Sequence, residues 1–401
     1  MLIVMKFGGS SLASVAHIRR AAQLVADARK QGDRVAVVVS AQGDTTDELI
    51  EKALEISPAP PEREKDMLIS CGEQMSIALM AMQLMQLGCP AVSLCGWQAG
   101  VRTESRHGDA RILRVELGRV QAALEAGKVA VVAGFQGMDD NGEITTIGRG
   151  GSDTTAVALA AALKADVCRI YTDVKGVYSA DPRVVDHAMI HREISYDEML
   201  ELAALGAQVL HSRAVELARE QRVKVEVRST FEPSSCGTQL ALETGHRQPV
   251  RGIACDERVA MVTVLGLDSG SATSRLFTLL ADSGVSIDVI IRSPQSAKSG
   301  GVVSFSVSEN EGEKVSAVLK SGQRELQFSG FLLQPGMAKV SAVGAGMSDG
   351  CGVAATMLRA LQESGIEPQY ITTGELRISV IVPRERAKEA VRLLHRSFFG
   401  E

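Results

Sequence analysis

The chain has 401 residues, of which 45% are hydrophobic and 3% aromatic, and its formal net charge is -5. That length predicts two or three domains with ample core; the absence of a basic excess argues against nucleic acid as a partner, and so few rings argue against a base-stacking platform. The seven cysteines, at 71, 89, 95, 168, 236, 255 and 351, include no C-x-x-C spacing. They predict neither a disulfide framework nor a zinc site and point to a reducing cytoplasm. The N-terminus meets Lys6 directly after a short apolar stretch, unlike a secretory signal. No run of about 18 apolar residues predicts a membrane span.

In chain order, Leu2–Phe7 is an apolar strand that runs into Gly8-Gly9-Ser10-Ser11, and a helix follows from about Val15 to Lys30. Lys6 lies at the strand's end, where α/β proteins place ligand contacts. The adjacent glycines permit close backbone approach, but no G-K-[ST] follows, so this is not a Walker A loop. Val35–Val39 reads as a strand buried on both faces. The polar stretch Ser40–Glu48 caps the next helix, with Ser40 and Thr45 as caps or as hydrogen-bonding partners of a small polar ligand. After Pro58-Ala59-Pro60-Pro61 comes a helix in which Glu73 sits beside Gly72, ahead of the apolar-rich Met75–Leu87. A carboxylate in such surroundings is either exposed or paired, and a ligand ammonium is one candidate partner.

Residues 91–94, 112–113 and 129–133 predict further strands, and Asp140-Asn141-Gly142 a hairpin. The stretch Thr146-Ile147-Gly148-Arg149-Gly150-Gly151-Ser152-Asp153-Thr154-Thr155 predicts a strand end, a glycine-rich turn and the opening of an alanine-rich helix. Ser152, Asp153 and Thr154 are good N-caps. A helix start of this kind offers free N–H groups to an anion, and Arg149 adds a fork suited to carboxylate or phosphate; an ordinary strand-to-helix turn with surface charges has the same pattern. A strand follows at Val167–Asp173, then a turn-rich loop through Arg183, helices within 197–221 broken near Gly206, and an alternating strand at Val223–Arg228. Alternation of strand and helix over 1–240 predicts an α/β sheet with helices on both faces. Glu243–Pro249 reads as a linker.

Beyond the linker the chain repeats. Val262-Thr263-Val264-Leu265-Gly266 returns as Val340-Ser341-Ala342-Val343-Gly344, and Leu279–Val285 returns as Ala360–Ile366. A period of about 80 residues gives two small α+β modules, each strand, loop, helix, strand, strand, helix. The second module runs out of chain after a helix ending near His395, so its final edge strand is expected from elsewhere, with Leu326–Leu333 the candidate.

Taken together, Lys6-Phe7-Gly8-Gly9-Ser10-Ser11, Gly148–Asp153, Tyr171–Tyr178 and Asp181-Pro182-Arg183 resemble the aspartate kinases of the amino acid kinase family, and the likeness covers essentially the whole chain. The paired C-terminal modules resemble ACT domains, which bind amino acids as feedback sensors. The resemblance implies an α/β sandwich of the amino acid kinase type with a mostly parallel central sheet over 1–245, a linker at 246–258, and ferredoxin-like α+β ACT domains at 259–334 and 335–401. It implies transfer of the γ-phosphoryl group of ATP to the side-chain carboxylate of L-aspartate, giving 4-phospho-L-aspartate, the first step towards lysine, threonine and methionine. By the same resemblance Lys6 contacts the transferring phosphoryl group and Asp153 orients the catalytic cation. Arg149 is expected on the aspartate α-carboxylate and Glu73 on its α-ammonium, with Ser40, Thr45 and Ser152 nearby. Lys6, Phe7, Gly8, Gly9, Ser10, Gly150, Gly151, Thr172, Asp173, Tyr178, Asp181 and Arg183 are expected on ATP. Mg²⁺ is expected on the phosphates, since no protein carboxylate cage is visible. The nucleophile is a carboxylate already ionised at pH 7, so no general base is needed and the work is electrostatic.

Some positions depart from the family pattern: Asp268-Ser269-Gly270-Ser271 where D-x-P-G is common, Arg292-Ser293 where Gln or Asn often ends a strand, Gly374 for a frequent serine, and His211-Ser212-Arg213 for H-P-R. These changes bear on effector binding, for which Asp268, Ser271, Thr273 and Arg292 are the candidates, and predict weak or unusual control by lysine or threonine. The resemblance further implies a homodimer or larger oligomer through the ACT domains, in the cytoplasm. Two alternatives stand beside it: another amino acid kinase, acting on acetylglutamate, glutamate or UMP, and a catalytically silent amino-acid sensor. The silent sensor predicts lost charge at Lys6, Glu73, Arg149 or Asp153, and all four are present.

Overall fold

A computed structural model describes residues 1–206, 209–245, 248–267, 270–296, 300–347 and 352–400. The chain forms two compact units. The first comprises Met1–Tyr178, Met189–Ala204 and Gln208–His246; the second comprises Ser179–Ala188, Leu205–Ala207 and Arg247–Glu401.

The first unit opens with β1 (Leu2–Phe7), α1 (Val15–Lys30), β2 (Arg34–Val39), α2 (Thr45–Ile56), α3 (Glu62–Ile69), α4 (Cys71–Gln86) and β3 (Ala91–Leu94). It continues with β4 (Val101–Thr103), β5 (Ile112–Val115), α5 (Gly118–Glu125), β6 (Val129–Ala133), β7 (Gln136–Met138), β8 (Ile144–Thr146) and α6 (Gly151–Leu163). It closes with β9 (Val167–Thr172), β10 (Glu193–Ser195), α7 (Tyr196–Ala204), α8 (Ser212–Glu220), β11 (Val225–Ser229) and β12 (Thr238–Ala241). Eight strands form one sheet in the order β10-β12-β11-β9-β1-β2-β6-β3, parallel at every junction except β11–β12. Every residue of β6 is buried, and so is β2 beyond Arg34, as a parallel sheet covered on both faces requires. β11 alternates buried and half-buried residues. Helix α6 is buried from Gly151 to Ala160. Its run of small alanines lets it lie close to its neighbours. A smaller sheet has the order β5-β4-β7-β8; it contains the strand expected at 112–113 as β5 and the hairpin expected at Asp140-Asn141-Gly142 as β7–β8, while β4, three residues long, was not foreseen. The helical stretch Glu62–Gln86 is long and apolar enough to cross a membrane. Half of its most apolar window is buried inside the protein, and α4 packs on α1, β3 and β6 as a core helix does.

The second unit carries β13 (Gly252–Leu265), α9 (Gly270–Asp282), β14 (Ile290–Ser296), β15 (Gly300–Ser308), α10 (Gly312–Leu326), β16 (Gly330–Val343), α11 (Val353–Glu363), β17 (Tyr370–Thr373), β18 (Arg377–Pro383) and α12 (Ala387–Phe399). All six strands share one antiparallel sheet, β14-β15-β13-β16-β18-β17. The two repeats therefore merge along β13 and β16, each 14 residues long. The strand missing from the second repeat is Gly252–Asp256, paired with Lys339–Val343. Gly330–Leu333, within the stretch expected to supply it, instead pairs with Val262–Leu265 in the first repeat. The expected linker at 246–258 is thus strand from Gly252 onwards. Segment Ser179–Ala188 joins this unit because Ala180 and Val185 are buried with Ile253, Val340 and Leu394. Ile253 N–H donates to the Ser179 carbonyl at 2.7 Å, and Arg392 donates to the Val184 carbonyl at 2.9 Å.

Candidate active site

Because β1, β2, β6 and β9 run parallel, their carboxyl ends open on one side of the sheet, where ligands of α/β proteins bind. Lys6, near the end of β1, reaches Asp153 in the first turn of α6, with Nζ 2.6 Å from Oδ1. Both side chains are largely enclosed, at 12% and 10% exposure. An acidic group in the first turn of a helix also gains from the helix dipole. The chain after β1 is held tight: a Cβ on Gly8 would stand 3.3 Å from Lys6 Nζ, and one on Gly9 3.1 Å from the Ala41 and Gly43 carbonyls. Ser10 is exposed beyond them. Phe7 contributes differently from expectation. Its ring is fully buried and stacks on Tyr171 at 4.8 Å, so its side chain has no surface to offer a nucleotide.

Glu73 lies in the first turn of α4 at 3% exposure. Oε1 accepts the Ala41 N–H at 2.9 Å, and Oε2 is buried without a hydrogen-bond partner among the described residues. Burial pushes its carboxyl up to about 8, against the pull of the Ala41 N–H. Gly72 makes the approach possible, since a Cβ there would meet the Ala41 methyl at 2.7 Å. Ser40 is half-buried and its N–H donates to the Phe7 carbonyl at 3.1 Å. Thr45 Oγ1 donates to the Gln42 carbonyl at 2.7 Å at the start of α2.

The loop ahead of α6 is built on glycine. Gly148 and Gly150 have φ of 80° and 68°, and a Cβ on Gly150 would fall 2.2 Å from that of His211. Arg149 between them is exposed and makes no ion pair with any described residue. Ser152 is buried. Asp153 and Thr154 donate their N–H groups to the Gly150 carbonyl at 3.0 and 3.1 Å.

On the neighbouring strand end, Thr172 Oγ1 donates to Asp173 at 3.0 Å, and half-buried Tyr178 bridges Ile190. The first unit thus gathers Lys6, Gly8–Ser10, Ser40, Thr45, Glu73, the Arg149–Asp153 loop, Thr172 and Asp173 on the carboxyl side of one sheet. Asp181 and Arg183 belong to the second unit. There they pair with each other at 2.7 Å, and the guanidinium holds the Asp181 carboxyl below its usual range. Ser271 and Thr273 lie in the first turn of α9 and Arg292 is exposed on β14; Asp268 lies outside the described residues.

Several site neighbours escaped the sequence reading. Asp66 of α3 is fully buried and receives hydrogen bonds from Thr146 and Gly108. Asp109 forms a bidentate pair with Arg213, at 2.6 and 2.9 Å. His211 packs on Gly150, and burial pushes its pKa down while Asp153 pulls it up. The only sequence signal for these was the departure at His211-Ser212-Arg213.

Comparison with known proteins gives the chain's family. The model of the amino acid kinase family matches residues 1–229, and that of an ACT domain matches residues 340–398. The chain is 48% identical over 400 residues to an aspartokinase of Bacillus sp. strain MGA3, covering 99% of this chain and 97% of that one. Among solved structures, E. coli aspartokinase III in complex with aspartate and ADP, in its R-state, superposes with a TM-score of 0.84 at 27% identity over the full length of both chains. The same enzyme with lysine and aspartate, in its T-state, gives 0.76 at 27% identity over 99% of each chain. The chain belongs to the aspartokinases of the amino acid kinase family.

Proposed function

We propose that the first unit binds ATP and L-aspartate at the carboxyl side of its large sheet and that the residues gathered there carry the phosphoryl transfer. The observation that carries this is the enclosed Lys6–Asp153 pair beside the glycine turn, with Glu73 buried and half-satisfied in the first turn of α4, its Oε1 on the Ala41 N–H. The aspartate side-chain carboxylate, ionised at pH 7, attacks the γ-phosphorus; a carboxylate O–P bond forms, the bond to the β-phosphate oxygen breaks, and ADP leaves with the electron pair. No proton moves, so no base is needed. What the site supplies is positive charge and position. Lys6 neutralises the transferring group. The main chain at Gly8–Ser10 lies against it. Arg149, exposed and unpaired among the described residues, takes the α-carboxylate bidentately. Glu73 takes the α-ammonium, which satisfies Oε2.

Mg²⁺ fits the site as an ion carried on the phosphates. No three His, Cys, Asp or Glu side chains converge among the described residues, and Asp153 is the acidic group beside Lys6. When bound, the ion supplies further neutralisation of phosphate charge. Thr172, Asp173 and Tyr178 lie towards the nucleotide. In the second unit, lysine or threonine acts as an effector, and pairing of chains through this unit gives a dimer or larger oligomer, in the cytoplasm.

The test is ADP release with ATP, Mg²⁺ and L-aspartate, with hydroxylamine trapping the acyl phosphate. Lys6→Ala is expected to lower kcat/KM on the order of a thousandfold. Aspartate-independent turnover, or hydroxamate that persists in Lys6→Ala, would remove the reading.

A further inference from the structure

One carboxylate outside the proposed ligand contacts is committed more completely than any group in the site. Asp66 has no exposed surface. Its Oδ1 accepts the Thr146 hydroxyl at 2.6 Å, its Oδ2 accepts the Thr146 N–H at 2.9 Å, and the Gly108 N–H reaches both oxygens at 3.0 and 3.1 Å. His107 Nδ1 stands 3.1 Å from Oδ2. Thr146 is itself fully buried and is the last residue of β8, three positions ahead of Arg149. The segment after Gly108 runs beside the same stretch: Ala110 N–H donates to the Thr146 carbonyl at 2.9 Å. Arg213, held by Asp109, donates to the Ile147 carbonyl at 3.3 Å. Gly148 lies so close to Asp109 that a Cβ would stand 2.7 Å from Oδ1. Thr146 is thus fixed from α3 and the 107–110 segment, Ile147 is held by Arg213 of α8, and Gly148 lies against Asp109; Arg149, exposed, is the first residue of the loop beyond them that is free to meet a ligand.

Stability alone does not ask for such a group, because a buried charge is often replaced by apolar packing without loss. What an acceptor-only carboxylate does is orient several donors from separate segments at once. We propose that Asp66 is a positioning residue for aspartate binding: it sets Thr146, and through it the loop that presents Arg149 to the substrate α-carboxylate. The proposal rests on the assignment of Arg149 to that carboxylate, and the experiment separates the two.

Thr146→Val removes one donor while keeping the main-chain N–H and nearly the same shape. Asp66→Asn leaves a single acceptor oxygen and turns an NH₂ group against N–H or O–H donors. A displaced ground-state contact raises KM with kcat unchanged. The expected result is an aspartate KM about tenfold higher in Thr146→Val, higher still in Asp66→Asn, unchanged KM for ATP, and recovery in Thr146→Ser. If Asp66→Asn does not fold, the Val and Ser pair carries the test. Arg149→Ala is run beside them. Should Arg149→Ala raise the aspartate KM while Thr146→Val leaves it alone, or while Thr146→Val impairs both substrates equally without recovery in Thr146→Ser, the positioning role of Asp66 is overturned and the Arg149 assignment stands. Should Arg149→Ala leave the aspartate KM unchanged, the Arg149 assignment falls and takes the positioning role with it.

Discussion

Glu73→Gln separates a ligand contact from a structural carboxylate, because the two predict opposite signs. The Glu73 carboxyl is raised from 4.5 to about 8, by burial first. At pH 7 roughly nine in ten free sites then hold the proton. Between about pH 4.5 and pH 8 the folded chain binds a proton that the unfolded chain has released. The stability of the ligand-free protein therefore falls as pH climbs through that window, by on the order of 5 kcal/mol over its whole width. Glutamine keeps an acceptor for the Ala41 N–H and never ionises. Ligand-free Glu73→Gln should match the parent near pH 4 and melt higher than it above pH 8.

Aspartate reverses the order. An ammonium against Oε2 makes the ionised form the stable one, so binding at pH 7 should release close to one proton per site. The variant should release none from this group, and its aspartate KM should rise by about tenfold to a hundredfold, the worth of a hydrogen bond between charged groups. Titration calorimetry in two buffers of different ionisation enthalpy counts the protons, and melting across pH 4 to 9 reads the stability. Equal proton release in parent and variant would refute the assignment of Glu73 to the ammonium. A variant that melts lower than the parent above pH 8 would refute the claim that the carboxyl is buried at a cost.

Two further outcomes follow from the same reasoning. Gly150→Ala puts a methyl 2.2 Å from the His211 Cβ at a φ of 68°, which is expected to lower the melting temperature by the equivalent of about 2 kcal/mol or more, with partial recovery when His211→Gly removes the obstacle. In the second unit His395, at 4% exposure and 2.8 Å from Ser179 Oγ, has its pKa pushed down by burial. The neutral ring's stabilisation is present above pH 6.5 and lost as pH falls through the lowered value, so His395→Gln should flatten the acid limb of an unfolding curve that is steeper in the parent.

What was legible in the sequence was what is local. The helix Val15–Lys30 came out at its expected ends because Ser14 caps it, accepting the His17 N–H, and Gly32 follows its close. The glycine turn ahead of α6 was legible because positive φ leaves its mark residue by residue. The second repeat misled for the opposite reason. Gly252–Asp256 and Gly330–Leu333 are both plausible strands, and which repeat each one completes depends on partners some 70 to 90 residues away along the chain. A strand's period of two says which face is buried and nothing about the neighbour it will find.

The site divides along the same line. Lys6, Glu73 and Asp153 stand out because each is a charge within two residues of a glycine at the end of an apolar strand or the start of an apolar-rich helix. Asp66 sits in Glu62-Arg63-Glu64-Lys65-Asp66, which reads as a solvated helix face, and its partner Thr146 lies 80 residues on. Asp109 and Arg213 are 104 apart. Phe7 shows the converse. Its place between Lys6 and Gly8 made it look like a ligand contact, yet alternation along β1 turns its ring into the core against Tyr171 while Lys6 stays accessible to Asp153. Residues that touch a ligand interrupt a local pattern. Residues that position those contacts complete a pattern elsewhere in the chain, so the charge on Asp66 acquires its meaning only once the fold brings Thr146 to it.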